Sequence, residues 1–143
     1  MRIMGIDYGD RRIGIAISDE TGILASGVET IRWNGLDPAW AIDRICALVD
    51  ERKVSEIVVG LPRRTDGRPG PSEEKAGALA DILGERTGLP VIRRDERYTT
   101  VIATRMMRDA GTRQRDRRNV IDQIAATVIL QEVLDERRRR QDN

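Results

Sequence analysis

Two apolar, β-branched runs open the chain, and only a short turn-forming stretch separates them. The first run is "RIMGID" at residues 2–7, the second is "IGIAIS" at residues 13–18, and "YGDRR" lies between them. Runs of this length joined by such a turn are typical of an antiparallel hairpin. A fold that begins this way must extend its sheet from these two strands.

Three more strand segments follow, and all of them are short. They are predicted over residues 26–32, 56–60 and 90–95. Helical patterns separate the third strand from the fourth and the fourth from the fifth. The order β-β-β-α-β-α-β-α-α predicts an α/β fold with one mixed sheet, in which an antiparallel meander of three strands is continued by two strands parallel to the first and helices cover both faces.

The predicted helices have recognisable starting residues. Asp37 followed by Pro38 marks the start of the first helix, and Ser72 marks the start of the second. Cys46 falls on the apolar stripe of the first helix, so we expect a buried structural thiol there. Two further helices are predicted over residues 103–110 and 120–137.

The composition excludes several classes of site. The 143 residues contain no histidine and one cysteine, so imidazole bases, Ser-His-Asp and Cys-His triads, and His- or Cys-rich zinc sites are excluded. The length suits one domain, which we place at residues 1–138 and follow with a polar tail at 139–143. One unpaired thiol, and the lack of any apolar run as long as a membrane span, lead us to expect a cytoplasmic protein without a membrane partner.

Arginines are concentrated in two predicted loops, "RQRDRR" and "GLPRRTDGRPGPS", although the net charge is only +1. Guanidinium groups suit phosphate oxygens, so these loops are candidate nucleic-acid contacts. The candidate residues, which include a pair in the first turn and two threonines of "RYTT", are Arg11, Arg12, Arg63, Arg64, Thr99, Thr100, Arg113, Arg115, Arg117 and Arg118. The alternative is a solvated surface with no ligand.

Three acidic residues fall where the predicted topology would bring them together. Asp7 ends the first strand and Glu96 follows the fifth, so both reach the carboxyl edge of the sheet, where open α/β sheets place their sites. Asp122 lies on an apolar row of the last helix with Ala126, which indicates that it faces the protein. Carboxylates gathered there repel unless a cation lies between them, and Mg²⁺ and Mn²⁺ are the hard cations that accept such ligands.

Each of the three residues also has a structural explanation. Asp7, which precedes Tyr8 and Gly9, suits a turn. Glu96 has arginine neighbours with which it could pair. Asn119-x-x-Asp122 resembles a capping box, in which Asp122 would only favour the start of a helix.

Five blocks of the sequence resemble the signature blocks of the YqgF/RuvX family, and together they span almost the whole chain: "GIDYGDRRIGIAISD", "IVVGLP", "DGRPGP", "RRDERYTT" and "RNVIDQIAATVILQEVLD". The resemblance implies a ribonuclease-H-like fold and identifies Asp7, Glu96 and Asp122 as metal ligands. Asp95 ranks second, because strand alternation points it away from Glu96.

The resemblance also implies a metal-dependent nuclease. Its substrate would be the precursor of small-subunit ribosomal RNA or, as a Holliday junction resolvase, branched DNA. Two Mg²⁺ or Mn²⁺ ions held by the carboxylates would support in-line hydrolysis of a phosphodiester. A resolvase that cuts two strands symmetrically would favour a homodimer.

Two other classes of protein remain as alternatives. "DYGDRRIG" also resembles the first phosphate-binding loop of the sugar-kinase, heat-shock and actin ATPases, but those need a second comparable domain that 143 residues cannot supply. The other alternative is a nucleic-acid-binding ribosome-assembly factor without turnover. Metal-dependent cleavage would distinguish a nuclease from such a factor.

Overall fold

The computed structural model describes residues 1–34, 36–61, 70–95 and 114–142, and in the last stretch it describes the side chains of 123–141. The strands in these residues are β1 (Arg2–Asp7), β2 (Arg12–Ser18), β3 (Ala25–Arg32), β4 (Val54–Leu61) and β5 (Val91–Asp95). The helices are α1 (Ala39–Glu51), α2 (Pro71–Thr87) and α3 (Gln114–Asp142). The helix predicted over 103–110 lies outside the described residues.

The five strands form one sheet in the order β3-β2-β1-β4-β5. β1 pairs antiparallel with β2, and β2 pairs antiparallel with β3. β4 is parallel to β1, and β5 is parallel to β4. The predicted α/β architecture, a three-stranded meander continued by two parallel strands, is therefore confirmed.

Helices cover both faces of the sheet, as predicted. On one face α1 and α2 pack over a large apolar cluster that includes Met4 and Ile6 of β1. On the other face α3 packs over a smaller cluster that includes Ile3. Because successive strand residues point to opposite faces, the odd-numbered residues of β1 face α3. Among the described helices, none is long and apolar enough to cross a lipid bilayer.

The thiol of Cys46 is on the α1 side of the sheet. It packs against the larger apolar cluster but is only partly buried. Burial nevertheless raises its pKa above the usual value of a thiol, so it is a poor nucleophile. These features agree with a structural role for this thiol.

The first helix begins later than predicted. Its first helical residue is Ala39, and Pro38 is the N-cap in place of Asp37. Asp37 still contributes to the start of α1, because its Oδ1 accepts a hydrogen bond from the backbone N–H of Ala39 at 3.0 Å. The carboxylate therefore satisfies an N-terminal donor from just outside the helix.

The prediction that Ser72 caps α2 was wrong. Gly70 is the N-cap and Pro71 occupies the first helical position, where its missing N–H is not needed. Ser72 therefore lies inside the first turn. Its hydroxyl donates to Oδ2 of Asp10, in the β1–β2 turn, at 3.0 Å. The serine joins the helix to that turn instead of starting the helix.

The last helix is longer than predicted at both ends. α3 begins at Gln114, so positions 115, 117 and 118 lie on its first turns and not in a loop. The helix also continues to Asp142 and does not end near residue 137. Position 119 is helical, so it cannot be the N-cap of a capping box with position 122. The capping explanation of Asp122 was therefore wrong.

A glycine allows α3 to approach β1 closely. A Cβ atom at Gly5 would lie 2.8 Å from Leu130 Cβ and 3.0 Å from the carbonyl oxygen of Ala126. These distances are shorter than ordinary carbon contacts, so only glycine fits at this position. Gly5 thus sets how closely α3 lies against the central strand.

Polar contacts fix α3 along the rest of its described length. Near its start, Gln123 Nε2 donates to Thr30 Oγ1 of β3 at 3.2 Å. Near its end, Arg137 makes two hydrogen bonds of 2.6 and 2.7 Å to the carboxylate of Glu56 in β4. Hydrogen bonding to that carboxylate raises the pKa of Arg137. The helix is therefore attached to both sides of β1.

Candidate active site at the sheet edge

Asp7 is the last residue of β1, at the carboxyl edge of the parallel strands. It is paired with Gly14 of β2 and with Gly60 of β4, so its backbone belongs to the sheet. The turn that follows it comprises residues 8–11. Asp7 is 9 % exposed, and it is one of two polar residues among the buried ones that the structure describes. The interpretation of Asp7 as a turn residue is therefore not supported.

The side chain of Asp7 lies on the α3 face of the sheet. It follows Gly5 by two residues, and Gly5 lies against α3. Directly paired residues of neighbouring strands share a face, so Gly14 and Gly60 flank the carboxylate on this face. Neither glycine has a side chain to fill the space beside it. A buried carboxylate at the carboxyl edge of the sheet fits a hard cation that retains water ligands.

The backbone of α3 runs antiparallel to β1 across this face. Its later part lies near the start of β3, because Gln131 Oε1 accepts a hydrogen bond from the backbone N–H of Ala25 at 2.9 Å. Its earlier part lies near the other end, where Gln123 contacts Thr30. Position 122 is one helical turn before Ala126, whose carbonyl oxygen lies over Gly5. The backbone at position 122 therefore passes the end of β1. The side chain of this residue is outside those described.

Glu96 lies outside the described residues, but the strand that precedes it is described. In β5, Arg93 donates to the carbonyl oxygen of Gly77 in α2, whereas Arg94 contacts Glu132 and Glu136 of α3. Alternation along the strand therefore assigns Asp95 to the α2 face and not to the face of Asp7. Within the described side chains no cluster of three potential metal ligands occurs.

Several contacts define the conformation of the turn after Asp7. A Cβ atom at Gly9 would collide with the carbonyl oxygen of Arg12, so the turn requires glycine. Trp33 Nε1 donates to the carbonyl oxygen of Gly9 at 2.9 Å, and its ring lies edge-on to that of Tyr8, with centroids 5.9 Å apart. Burial, with Asp10 nearby, raises the pKa of Tyr8 to about 12. Tyr8 is therefore a neutral packing residue beside the candidate site.

The structure describes only part of the predicted nucleic-acid surface. Arg11 is exposed in the β1–β2 turn, and Arg12 is partly buried at the start of β2. The backbone of positions 115, 117 and 118 is in α3. The other predicted contacts lie outside the described part of the chain, and these are Arg63, Arg64, Thr99, Thr100 and Arg113. One arginine that the sequence did not indicate, Arg32, is directly opposite Arg12.

Two solved structures share the fold of this chain. RuvC of T. thermophilus in complex with a Holliday junction substrate matches with a TM-score of 0.60 and 16 % identity, covering 96 % of each chain. The resolvase of fowlpox virus in complex with Holliday junction DNA matches with a TM-score of 0.54 and 11 % identity, covering 94 % of this chain and 99 % of the other. The ribonuclease-H-like fold implied by the sequence is confirmed.

Sequence relatives are considerably closer. A protein of Listeria innocua is 44 % identical over 135 residues, which are 94 % of this chain and 98 % of the relative. One of Acetivibrio thermocellus is 46 % identical over 136 residues, which are 94 % and 96 % of the two chains. Both are named "Putative pre-16S rRNA nuclease". The model of the family described as "RuvX: Holliday junction resolvase" matches residues 1–136, and the chain therefore belongs to the RuvX family.

Proposed function

We propose that this protein is a metal-dependent endonuclease that hydrolyses phosphodiester bonds in structured nucleic acid. Asp7, Glu96 and Asp122 are its catalytic metal ligands, and residues 1–138 are its single catalytic domain. The observation that carries the proposal is the buried carboxylate of Asp7, flanked by two glycines at the carboxyl edge of the sheet. Such a group is costly to keep charged unless a cation or hydrogen bonds compensate it.

The course of α3 supports the assignment of Asp122. Its position precedes Ala126 by one turn, and Asp7 is two residues after Gly5 in β1. One helical turn rises about 5.4 Å and two strand residues about 6.8 Å, so position 122 and Asp7 lie at similar distances along the sheet from the contact at Gly5. Because α3 begins eight residues earlier, position 122 is beyond the first turn, where a carboxylate would favour the helix N-terminus.

Strand alternation supports the assignment of Glu96. Arg94 points to α3, and a residue two positions later in the same extended direction shares that face. β5 is parallel to β4, and β4 is parallel to β1, so all three strands end at the same edge. Glu96 is therefore the acidic residue of the "DER" stretch that suits the site, and Asp95 is not.

The donor set consists of carboxylate oxygens only, which Mg²⁺ and Mn²⁺ prefer. Two such ions, when bound, would lower the pKa of a water and neutralise charge on the phosphodiester oxygens. The chain itself contributes the three carboxylates and the rigid strand end that orients Asp7. Gly14 and Gly60, the residues paired with Asp7, place no side chain beside its carboxylate. No histidine is required for this chemistry.

We infer that the physiological substrate is the precursor of small-subunit ribosomal RNA, because the relatives at 44–46 % identity are named for that substrate. Branched DNA is the second candidate, favoured by the description of the family and by fold relatives solved with Holliday junctions. Cleavage of a junction at two symmetric positions would require a homodimer.

A cleavage assay tests the nuclease proposal directly. Purified protein is incubated with labelled ribosomal RNA precursor and with a synthetic four-way DNA junction, each with Mg²⁺, Mn²⁺ or a chelator. We expect cleavage of at least one substrate with metal and none with the chelator. Binding without cleavage under every metal condition would instead support a ribosome-assembly factor without turnover.

We also propose that the arginines at the start of α3 and just before it bind the phosphate backbone. Changing Arg113, Arg115, Arg117 and Arg118 to Ala should weaken binding similarly for different sequences, because phosphates carry no sequence information. The dependence of log K on log salt should flatten by up to about 0.9 for each phosphate that the variant no longer neutralises. An unchanged affinity and slope would assign these arginines to solvated surface.

A further inference from the structure

Two arginines face each other at the edge of the sheet where β2 begins and β3 ends. Arg12, the first residue of β2, is directly paired with Arg32, the last residue of β3. Arg32 is exposed and Arg12 is partly buried. Guanidinium groups that start from directly paired residues can reach the same anion, and their forked donors suit phosphate oxygens.

This pair lies on the same face of the sheet as Asp7. Asp7 is paired with Gly14, and Gly14 is paired with Thr30, which contacts Gln123 of α3. Arg12 is two residues from Gly14, and Arg32 is two residues from Thr30, both towards the carboxyl edge. They therefore lie on the same face as Gly14 and Thr30. The guanidinium groups therefore belong to the edge at which Asp7 ends.

The backbone that carries the two arginines is fixed. The backbone N–H of Trp33 donates to the carbonyl oxygen of Arg11 at 3.0 Å, which continues the β2–β3 pairing by one residue. The indole of Trp33 holds Gly9 in the turn before β2. Both arginines therefore begin from strand ends of defined position, which reduces the entropic cost of binding.

On the opposite side of Asp7, the basic residue at the same level is Arg94, which is paired with Gly60. Its guanidinium lies 2.7 Å from Glu136 and 3.3 Å from Glu132. Hydrogen bonding to Glu136 raises the pKa of Arg94, and the two carboxylates balance its charge. Arg94 thus contributes to attaching α3 to the sheet.

We propose that Arg12 and Arg32 together bind a backbone phosphate next to the one that is cleaved, so that the substrate strand crosses the sheet edge from β1 towards β3. The inference rests on the proposed nuclease function, because it places the cleaved phosphate at Asp7. Arginine forks suit this role, since each presents several donors to phosphate oxygens. Arg32 is then a substrate-binding residue that the sequence alone did not indicate.

The test measures binding without cleavage. Affinity for a labelled four-way DNA junction is determined in chelator between about 50 and 200 mM salt. Arg12→Gln and Arg32→Gln should each bind about tenfold more weakly and lower the salt slope. The double variant should lower the slope by about 0.9 in total, because the two arginines share one phosphate. Arg32→Lys, which keeps the charge, should retain the parental slope.

Arg52→Gln is the matched control. Arg52 is also exposed, but it follows α1 at the opposite end of the sheet, where its carbonyl oxygen accepts a hydrogen bond from Arg2 at 3.1 Å. Its substitution should leave the slope unchanged. An equal decrease of slope in Arg52→Gln and Arg32→Gln would overturn the inference, because the effect would then follow net charge alone.

An unchanged slope in Arg32→Gln, or a slope as low in Arg32→Lys as in Arg32→Gln, would also overturn the phosphate contact. Neither result bears on catalysis by the carboxylates, which is tested by metal-dependent cleavage. Conversely, if the parent binds the junction but never cleaves nucleic acid, the nuclease proposal fails and the salt slopes still decide whether Arg32 contacts phosphate. The two failures are thus distinguishable.

Discussion

Asp7→Asn is expected to abolish metal-dependent cleavage while leaving the fold and substrate binding intact. Asparagine keeps the size and hydrogen-bonding capacity of the side chain but removes its negative charge, which a hard cation requires. We expect cleavage to fall by about a thousandfold or more, which corresponds to about 4 kcal/mol of transition-state stabilisation. Affinity for nucleic acid should be unchanged or slightly higher, because the variant has one charge fewer to repel phosphate.

The same variant should reveal metal binding without any assay of activity. In the absence of metal it should melt at the same or a higher temperature than the parent, because repulsion between carboxylates is relieved. The rise in melting temperature that Mg²⁺ or Mn²⁺ gives the parent should disappear, since that rise reflects binding to the folded state. Thermal unfolding with and without metal measures both effects.

Asp10→Asn is the matched control for Asp7→Asn. Asp10 lies in the adjacent turn, is about half exposed, and accepts hydrogen bonds from Tyr8 at 3.3 Å and Ser72 at 3.0 Å. Its substitution should leave cleavage and the metal-induced shift close to those of the parent. If Asp7→Asn still cleaves at the parental rate, Asp7 is not a catalytic ligand, whatever the family relationship suggests.

Gly5→Ala is expected to lower the free energy of unfolding by about 2 kcal/mol, because the added methyl group would overlap atoms of α3. These atoms are Leu130 Cβ at 2.8 Å and the Ala126 carbonyl oxygen at 3.0 Å. Neither belongs to the flexible end of a side chain, so the helix itself must shift. Activity should fall as well, because the shift would move position 122 relative to Asp7.

Gly84→Ala makes the same chemical change where the structure has room. Gly84 lies inside α2, and the nearest contact of an added Cβ would be Val91 Cγ2 at 3.6 Å, an ordinary van der Waals distance. Alanine favours the helix, so stability should rise by about 0.5–1 kcal/mol. Denaturant unfolding of both variants measures the contrast, and equal stability of Gly5→Ala and the parent would mean that α3 does not pack this closely.

Much of the fold could be predicted because its signals are local. The apolar runs gave the strand bounds to within two residues, and their order with the helical patterns led to the correct sheet. The bounds of the helices were less accurate. Pro71 displaced Ser72 from the cap of α2, and α3 extends six residues further towards its start than its apolar pattern indicated. Polar, arginine-rich turns can be helical without an apolar stripe, so periodicity does not detect them.

The sequence by itself determined that a carboxylate ends the first strand, that no histidine can take part in catalysis, and that the chain belongs with the RuvX proteins. Only the tertiary structure decided that Gly14 and Gly60 flank Asp7 and that Arg32 stands opposite Arg12. The physical reason is that residue types and local periodicity are properties of short stretches of sequence, whereas strand register arises from packing between distant segments. A shift of one residue in that register would turn each of these side chains to the other face.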